Sequence, residues 1–304
     1  MLSLFSIAET PLALDVPMDP EVLARVSGFD RIGALRPSHI LEVKALSYLA
    51  DQEDSAAMES LGVVLRESIA RRVHLWLGLV DVATVDHIQE VLGDACQVAG
   101  PARPVPENWK LRLPAAKSVV PLAVSPQAFL HHCLQEGSGL RGFALHNLEG
   151  MDTARVPGRG MEVLRKGGVK VRERSLAFRL AHSPVMWAYI LVMLYSVCRA
   201  LPVAFIPHFH GNIWVLWALD VLGAIPYTWG VIAMFTAKKA LVRVLALAVA
   251  LITFIAPYVY FWSHGHHYPF QVNLVIAGFI ASAVGFEVVR YLRERRVRAR
   301  VSQG

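Results

Sequence analysis

Residues 240–262, ALVRVLALAVALITFIAPYVYFW, decide the architecture. Arg243 is the only charged side chain in this stretch. A helix of about 22 residues is roughly 33 Å long, enough to cross a hydrocarbon core of about 30 Å. Working outward, three more runs have the same character: 185–206, 213–235 and 270–292. As a soluble domain, four such runs in succession would leave almost no polar face for water. The expected fold is therefore mainly α: a four-helix transmembrane bundle made of two hairpins, preceded by a mostly helical cytoplasmic domain with minor β.

The breaks between the runs set the orientation. The segment before the first run carries Arg165, Lys166, Lys170, Arg172, Arg174 and Arg179. The break between the second and third has Lys238 and Lys239, followed by Arg243, and the fourth run is followed by Arg293, Arg295, Arg296, Arg298 and Arg300. The other two breaks contain no Lys or Arg. Four crossings put all three basic segments on one face, and the bias of Lys and Arg toward the cytoplasm makes that face the inner one. Arg165, Lys166, Lys170, Arg172, Arg174, Lys238, Lys239, Arg293, Arg295 and Arg296 are then expected to meet anionic lipid headgroups. Both termini are expected in the cytoplasm, at a bacterial-type inner membrane. The opening MLSLFSIAETPLALD has no basic leader and is interrupted by Glu9, so the front half is expected to stay on the side of synthesis.

The formal net charge of +6 averages an acidic front half with basic collars around an apolar block. Segregation of this kind points to a membrane before it points to nucleic acid, and the collar at 155–179 has few aromatic side chains on which bases could stack. The expected organisation is a helical domain at 1–153, a basic juxtamembrane segment at 154–184, the four runs, and a basic tail at 293–304.

The two uncharged breaks are rich in histidine. PHFHGN holds His208 and His210, and SHGHHYP holds His264, His266 and His267. In the four-crossing arrangement both emerge on the outer face. Neutral imidazole binds zinc and copper, so these five residues form a candidate metal site for Zn or Cu. A pH-sensing role and a plain interfacial role are the other readings, since imidazole, like indole, has an apolar body and a polar tip.

Two pairs of intramembrane charges stand out. Arg199 lies seven residues before Ile206, and Asp220 seven after Ile213. In an antiparallel hairpin they reach one depth, about 10 Å inside the boundary, and pairing would offset a cost of about 2.5–3.5 kcal/mol each. Arg243 and Glu287 are about equally far from the 265–266 turn and form a second candidate pair. Such pairs act as glue between helices or mark a proton or ion path.

The front half offers no nucleophile elbow, phosphate loop or HExxH motif. Cys96, Cys133 and Cys198 are widely spaced and form no CxxC. Helices are predicted from Pro20 to Gly28, from Ser38 to Ala50, over 55–72, from Thr84 to Gly93 and from Ser125 to Gly137. Strands are predicted at 141–148 and 169–174, and a loop at 100–109. A domain of this kind most often works through contacts with other proteins. The expected role is a non-enzymatic component of a membrane assembly for secretion, transport or signalling, with other proteins or copies of itself as partners and no nucleic acid. The alternative is a small transporter or sensor for a metal ion or protons.

Overall fold

The computed structural model describes residues 16–48, 55–110, 113, 115–152, 156, 158–200, 211–264 and 270–303. It is mostly helical and divides into two compact units. One comprises residues up to Ser175 together with those from Arg290 onward; the other is Leu176–Val289.

The first unit is built on a five-stranded mixed sheet. Strand β1 (Ile40–Glu42) runs parallel to β2 (Leu75–Asp81), and β2 runs antiparallel to β5 (Ser118–Val124). The far edge of β5 carries β3 (Cys96–Val98) and β4 (Arg103–Pro104), both antiparallel to it. Helices α1 (Pro20–Ser27), α2 (Ser55–Arg71), α3 (Val85–Leu92), α4 (Pro126–Leu134), α5 (Arg141–Leu148) and α6 (Gly158–Lys166) complete it. Both faces of the sheet are covered. Trp76, Val80, Val120, Leu122 and Val124 point into a core shared with Leu61, Leu65, Ile88, Phe129 and Leu148. Leu75, Leu77, Leu79, Val119 and Ala123 point the other way, onto Leu23, Ile32, Leu35 and Trp109. This is the period-two alternation of a strand, with apolar residues at both phases because neither face meets water.

Local chemistry starts and stops the helices. The Asp19 carboxylate accepts the Glu21 amide at 2.8 Å, Pro20 opens α1, and Gly28 ends it in the left-handed region at φ 73°. The Ser125 hydroxyl accepts from the Ala128 amide, and Pro126 opens α4.

Three sequence expectations are corrected here. Residues 141–148 form helix α5, whose Ala144 and Leu148 are buried at a spacing of four. Residues 169–174 contribute one isolated bridge, Asp152 to Arg172. The stretch after Ser38 is two short 3-10 turns around β1.

The second unit contains α7 (Leu176–Ala181), α8 (Pro184–Ala200), α9 (Ile213–Thr236), α10 (Ala240–Ser263) and α11 as far as Val289; that last helix runs unbroken over Phe270–Gln303. Asn212 caps α9 by accepting the Trp214 amide at 2.9 Å. Helices α9, α10 and α11 are long and apolar enough to cross a membrane, whereas α8 is a shorter apolar helix within the described residues. Three of the four expected crossings are matched by candidate spanning helices among the described residues, which place the chain in association with a membrane. Residues 201–210, the remainder of the first predicted run, lie outside the described residues.

Helices α9 and α10 approach closely at Gly230, where an added Cβ would lie 2.6 Å from the Ala246 carbonyl oxygen and 3.0 Å from the Ala250 Cβ. Tyr227, Phe254 and Phe279 bring α9, α10 and α11 together, with ring centroids 6.0–6.2 Å apart. Trp214, Leu222, Leu241, Ile252 and Phe270 point outward and are each more than 60% exposed. An apolar belt of this extent is suited to lipid rather than water.

Candidate functional site

Within the second unit, α8, α9 and α10 enclose a cavity of about 270 Å³. Leu191, Val192 and Ala224 make part of its wall, and Tyr195, Tyr227 and Phe254 bring aromatic rings to it. Its polar groups are Ser196, Asp220 and Thr253. Asp220 is 8% exposed and Ser196 9%. The Thr253 hydroxyl donates to the Val249 carbonyl of its own helix at 2.7 Å, which leaves its lone pairs facing outward as acceptors. Gly223 lines the cavity too, so the α9 backbone is bare on that side.

Of the expected Arg199–Asp220 pair, the Arg199 side chain lies outside the described residues. Arg199 itself lies on α8, the helix that faces Asp220 across the cavity.

Arg243 and Glu287 are brought together. The guanidinium Nε and Nη2 donate to the two carboxylate oxygens at 2.6 and 3.2 Å, a fork that joins α10 to α11. Arg243 Nη1 also donates to the carbonyls of Ala237 and Lys238 at 3.1 Å, so the same side chain ties down the turn at the end of α9. Arg243 is 4% exposed, and Glu287 is 40% exposed. This clamp sits at the end of the helices where Lys238 and Lys239 lie.

At the opposite end, the Asn212 amide donates to the Tyr260 hydroxyl at 3.0 Å. The described flanks of the two histidine-bearing breaks therefore meet. His264 packs against the Tyr260 ring and lies 2.8 Å, through Nδ1, from the Tyr260 carbonyl. His208, His210, His266 and His267 fall outside the described residues. Among the described residues no group of three or more His, Cys, Asp or Glu could hold a metal ion.

The basic collar is internally paired at several points. Arg165 bridges to Glu173 at 2.7 Å, Lys166 to Glu162 at 2.9 Å and Arg174 to Asp152 at 2.9 Å. Lys166 holds the Glu162 carboxyl below its ordinary range, first by hydrogen bonding and then by its charge. Lys170, Arg172 and Lys239 are exposed, and Lys238 is half-buried.

The tail holds contacts that the sequence reading did not reach. Beyond Val289, α11 returns to the first unit, where Val297 is fully buried beside Ile32 and Leu35. Glu294 is 7% exposed and accepts the Gly33 amide through Oε2 and the Arg298 guanidinium, at 2.7 Å, through Oε1. Arg298 also faces Glu21 at 3.7 Å. Arg293 is half-buried on this docked side, whereas Arg295 and Arg296 are exposed. The signal was present in RYLRERRVRAR: one acid inside a run of arginines, with a valine three residues on, marks a single helical stripe.

Comparison with known family models, with curated proteins and with solved structures returns no match for this chain.

Proposed function

We propose that the protein is a four-crossing component of a bacterial-type inner membrane, and that its cytoplasmic α/β unit serves as a fixed docking platform within a larger assembly. The observation that carries this reading is the seating of Glu294 and Val297 against the unit built from the front of the chain. Residues before the first apolar helix and residues after the last share one compact unit, so the number of crossings between them must be even. Three helices among the described residues qualify by length. Parity calls for a fourth, and the apolar run 185–206, of which α8 is the described part, is the segment available to supply it. The basic turn at Lys238 and Lys239 then falls on the same side as the platform, in keeping with the positive-inside bias.

A platform held to the bilayer by both ends of its own sequence is suited to binding rather than to diffusing between partners. Two measurements test the reading. A thiol probe that cannot cross the membrane should label a cysteine at Gly211 in intact cells, and one at Lys239 only after permeabilisation; labelling of Lys239 from outside removes the four-crossing arrangement. Cross-linking in native membranes should join lysines of the platform, such as Lys44 and Lys117, to another polypeptide or a second copy. A chain that stays a single uncross-linked species in the membrane removes the assembly role.

The alternative, a small transporter or sensor, draws support from the polar cavity at Asp220 and from the Asn212–Tyr260 contact beside both histidine-bearing breaks. It requires zinc or copper that is retained by the purified protein and lost when His264, His266 and His267 become alanine. Equal metal content in that variant excludes the metal version.

A further inference from the structure

The junction between α7 and α8 exposes more apolar surface than a turn in water needs. Helix α7 reads LAFRLA, and only His182 and Ser183 separate it from α8. Leu176 is 70% exposed, and Ala177, Phe178, Leu180 and Ala181 are exposed with it. At about 3.6 residues per turn, these five side chains fill a continuous arc of about 200°. Arg179 and His182, three residues apart, share the remaining side.

The junction is fixed by its own contacts. The His182 ring stacks on Phe178 with centroids 4.0 Å apart, and its Nδ1 lies 2.9 Å from the Phe178 carbonyl. The Trp187 indole N–H donates to the Ala181 carbonyl at 2.8 Å, one of the acceptors that a helix leaves open at its C-terminus. The Ser183 hydroxyl accepts the Met186 amide at 3.3 Å and Pro184 opens α8, so the second helix starts afresh instead of continuing the first. Trp187, in the first turn of α8, is 51% exposed.

Depth follows from these contacts. On the four-crossing reading, on which this inference rests, the run 185–206 enters the hydrocarbon from the inner side. Trp187 then stands at the headgroup level that tryptophan favours. That layer is only about 5–8 Å thick on each side of the bilayer. A carbonyl bonded to the Trp187 indole is held within it, and α7 is held with it. Arg179 makes no ion pair among the described residues, and lipid phosphates are the anions at this depth.

We propose that α7 is an interfacial foot that binds anionic phospholipid of the inner leaflet. Leu176, Phe178 and Leu180 enter the acyl boundary, and Arg179 holds a headgroup phosphate. The apolar arc selects lipid over water, the arginine selects a headgroup of net negative charge, and Trp187 sets the depth. A short helix with one apolar side and a cation on the other suits the interface plane.

The test uses the full chain with Cys198→Ser as background, in vesicles of phosphatidylcholine and phosphatidylglycerol in equal amounts. Cys96 and Cys133 are buried and stay unlabelled. Nitroxides attached to Ala177→Cys and Leu180→Cys should collide more with oxygen than with a nickel chelate, and one on His182→Cys should show the reverse. Aqueous behaviour at 177 and 180 overturns the proposal. So does protection from both reagents, which would mean that protein covers the helix. A benzophenone amino acid replacing Leu176 should capture phosphatidylglycerol about fivefold over phosphatidylcholine, the fold-change equivalent to about 1 kcal/mol for one cation at an anionic surface. Arg179→Gln should bring capture close to parity, and Arg179→Lys should keep the preference. Equal capture in the parent chain, or an unchanged preference in Arg179→Gln, overturns the phosphate contact. The cysteine labelling at Gly211 and Lys239 separates the two failures. Correct labelling with aqueous nitroxides removes the foot alone, and wrong labelling removes the four-crossing reading.

Discussion

Replacing Gly33 by alanine should loosen the C-terminal helix. A Cβ at this position would lie 2.7 Å from the Glu294 nitrogen, 2.9 Å from the Arg290 oxygen and 3.0 Å from the Glu294 Cα. All three neighbours are backbone, so no flexible side chain can give way and the helix itself must shift. Gly33 is not among the glycines at positive φ, so alanine adds no conformational strain of its own and the effect reports the contact alone. A methyl forced into such a contact costs about 1–3 kcal/mol. Complete release would forfeit the burial of Val297, about 1.5–3 kcal/mol, and the charge-assisted bond from the Gly33 amide, about 1.5–3 kcal/mol. Hydrogen exchange read by mass spectrometry resolves both sides of the contact. Peptides covering residues 30–36 and 290–300 should exchange about tenfold faster in Gly33→Ala and faster still in Gly33→Val, since 1.4 kcal/mol of opening free energy is a factor of ten. Gly278→Ala, with nothing within 4 Å of the new Cβ, serves as the control and should leave both peptides unchanged. Unaltered exchange in Gly33→Ala would mean that Glu294 and Val297 are not seated as described.

Three further outcomes are expected. Arg243→Ala should lower the thermal midpoint in detergent by an amount equivalent to about 3 kcal/mol, the lower end for a broken buried pair because Glu287 is 40% exposed; Arg243→Lys should recover only part of it, because an ammonium cannot grip both oxygens at once. Gly230→Val should destabilise the α9–α10 pair strongly, since its Cβ meets the Ala246 carbonyl at 2.6 Å, whereas Gly285→Ala, which meets nothing within 4 Å, should be silent in the same melt. Burial pushes the Cys96 and Cys133 thiols up to about 12, so at pH 8 they should resist iodoacetamide in the native chain and react fully in denaturant. The unfolded thiols ionise near pH 9 while the folded ones stay neutral, so stability is complete below that pH and should fall as pH rises from about 9 to 12; a rise over that range would contradict the burial.

What could be read in the sequence follows from where water and lipid impose a pattern. The apolar runs around 213–236, 240–263 and 270–289 are legible because a bilayer demands length and near-absence of charge. Helix α1 is legible because Asp19, Pro20 and Gly28 carry its start and stop within ten residues. Strands β2 and β5 are not legible as strands, because LWLGLVD and SVVPLAV are buried on both faces and show no alternation of polar with apolar. Pro121 obscures β5 further, since a proline argues against a central strand. It is accommodated at a gap in the neighbouring edge, between the residues of β5 paired with β3 and those paired with β4, where the Ala99 amide reaches the Pro121 carbonyl at 2.8 Å. The cavity was half-legible. Asp220 stood out as a charge in an apolar run, whereas Tyr195, Tyr227 and Thr253 are ordinary residues of apolar helices until three helices set them around one space. The tail was read by its charge alone, and the charge concealed the packed stripe of Glu294 and Val297.

The first unit has to wait for its own last piece. Its sheet and most of its core emerge from the ribosome first, yet the side chain that closes the second core, Val297, follows only after all the apolar helices have been made. At about 5–20 residues per second, the stretch from Ser175 to Arg290 takes on the order of 10 s to translate. Through that interval the groove beside Ile32 and Leu35 stays bare, and its final closure comes only once the membrane helices have been delivered. Maturation of the first unit is thereby a readout of completed synthesis, and a chain that stalls before its last helix presents an uncovered apolar surface to the chaperones and proteases that sort such products.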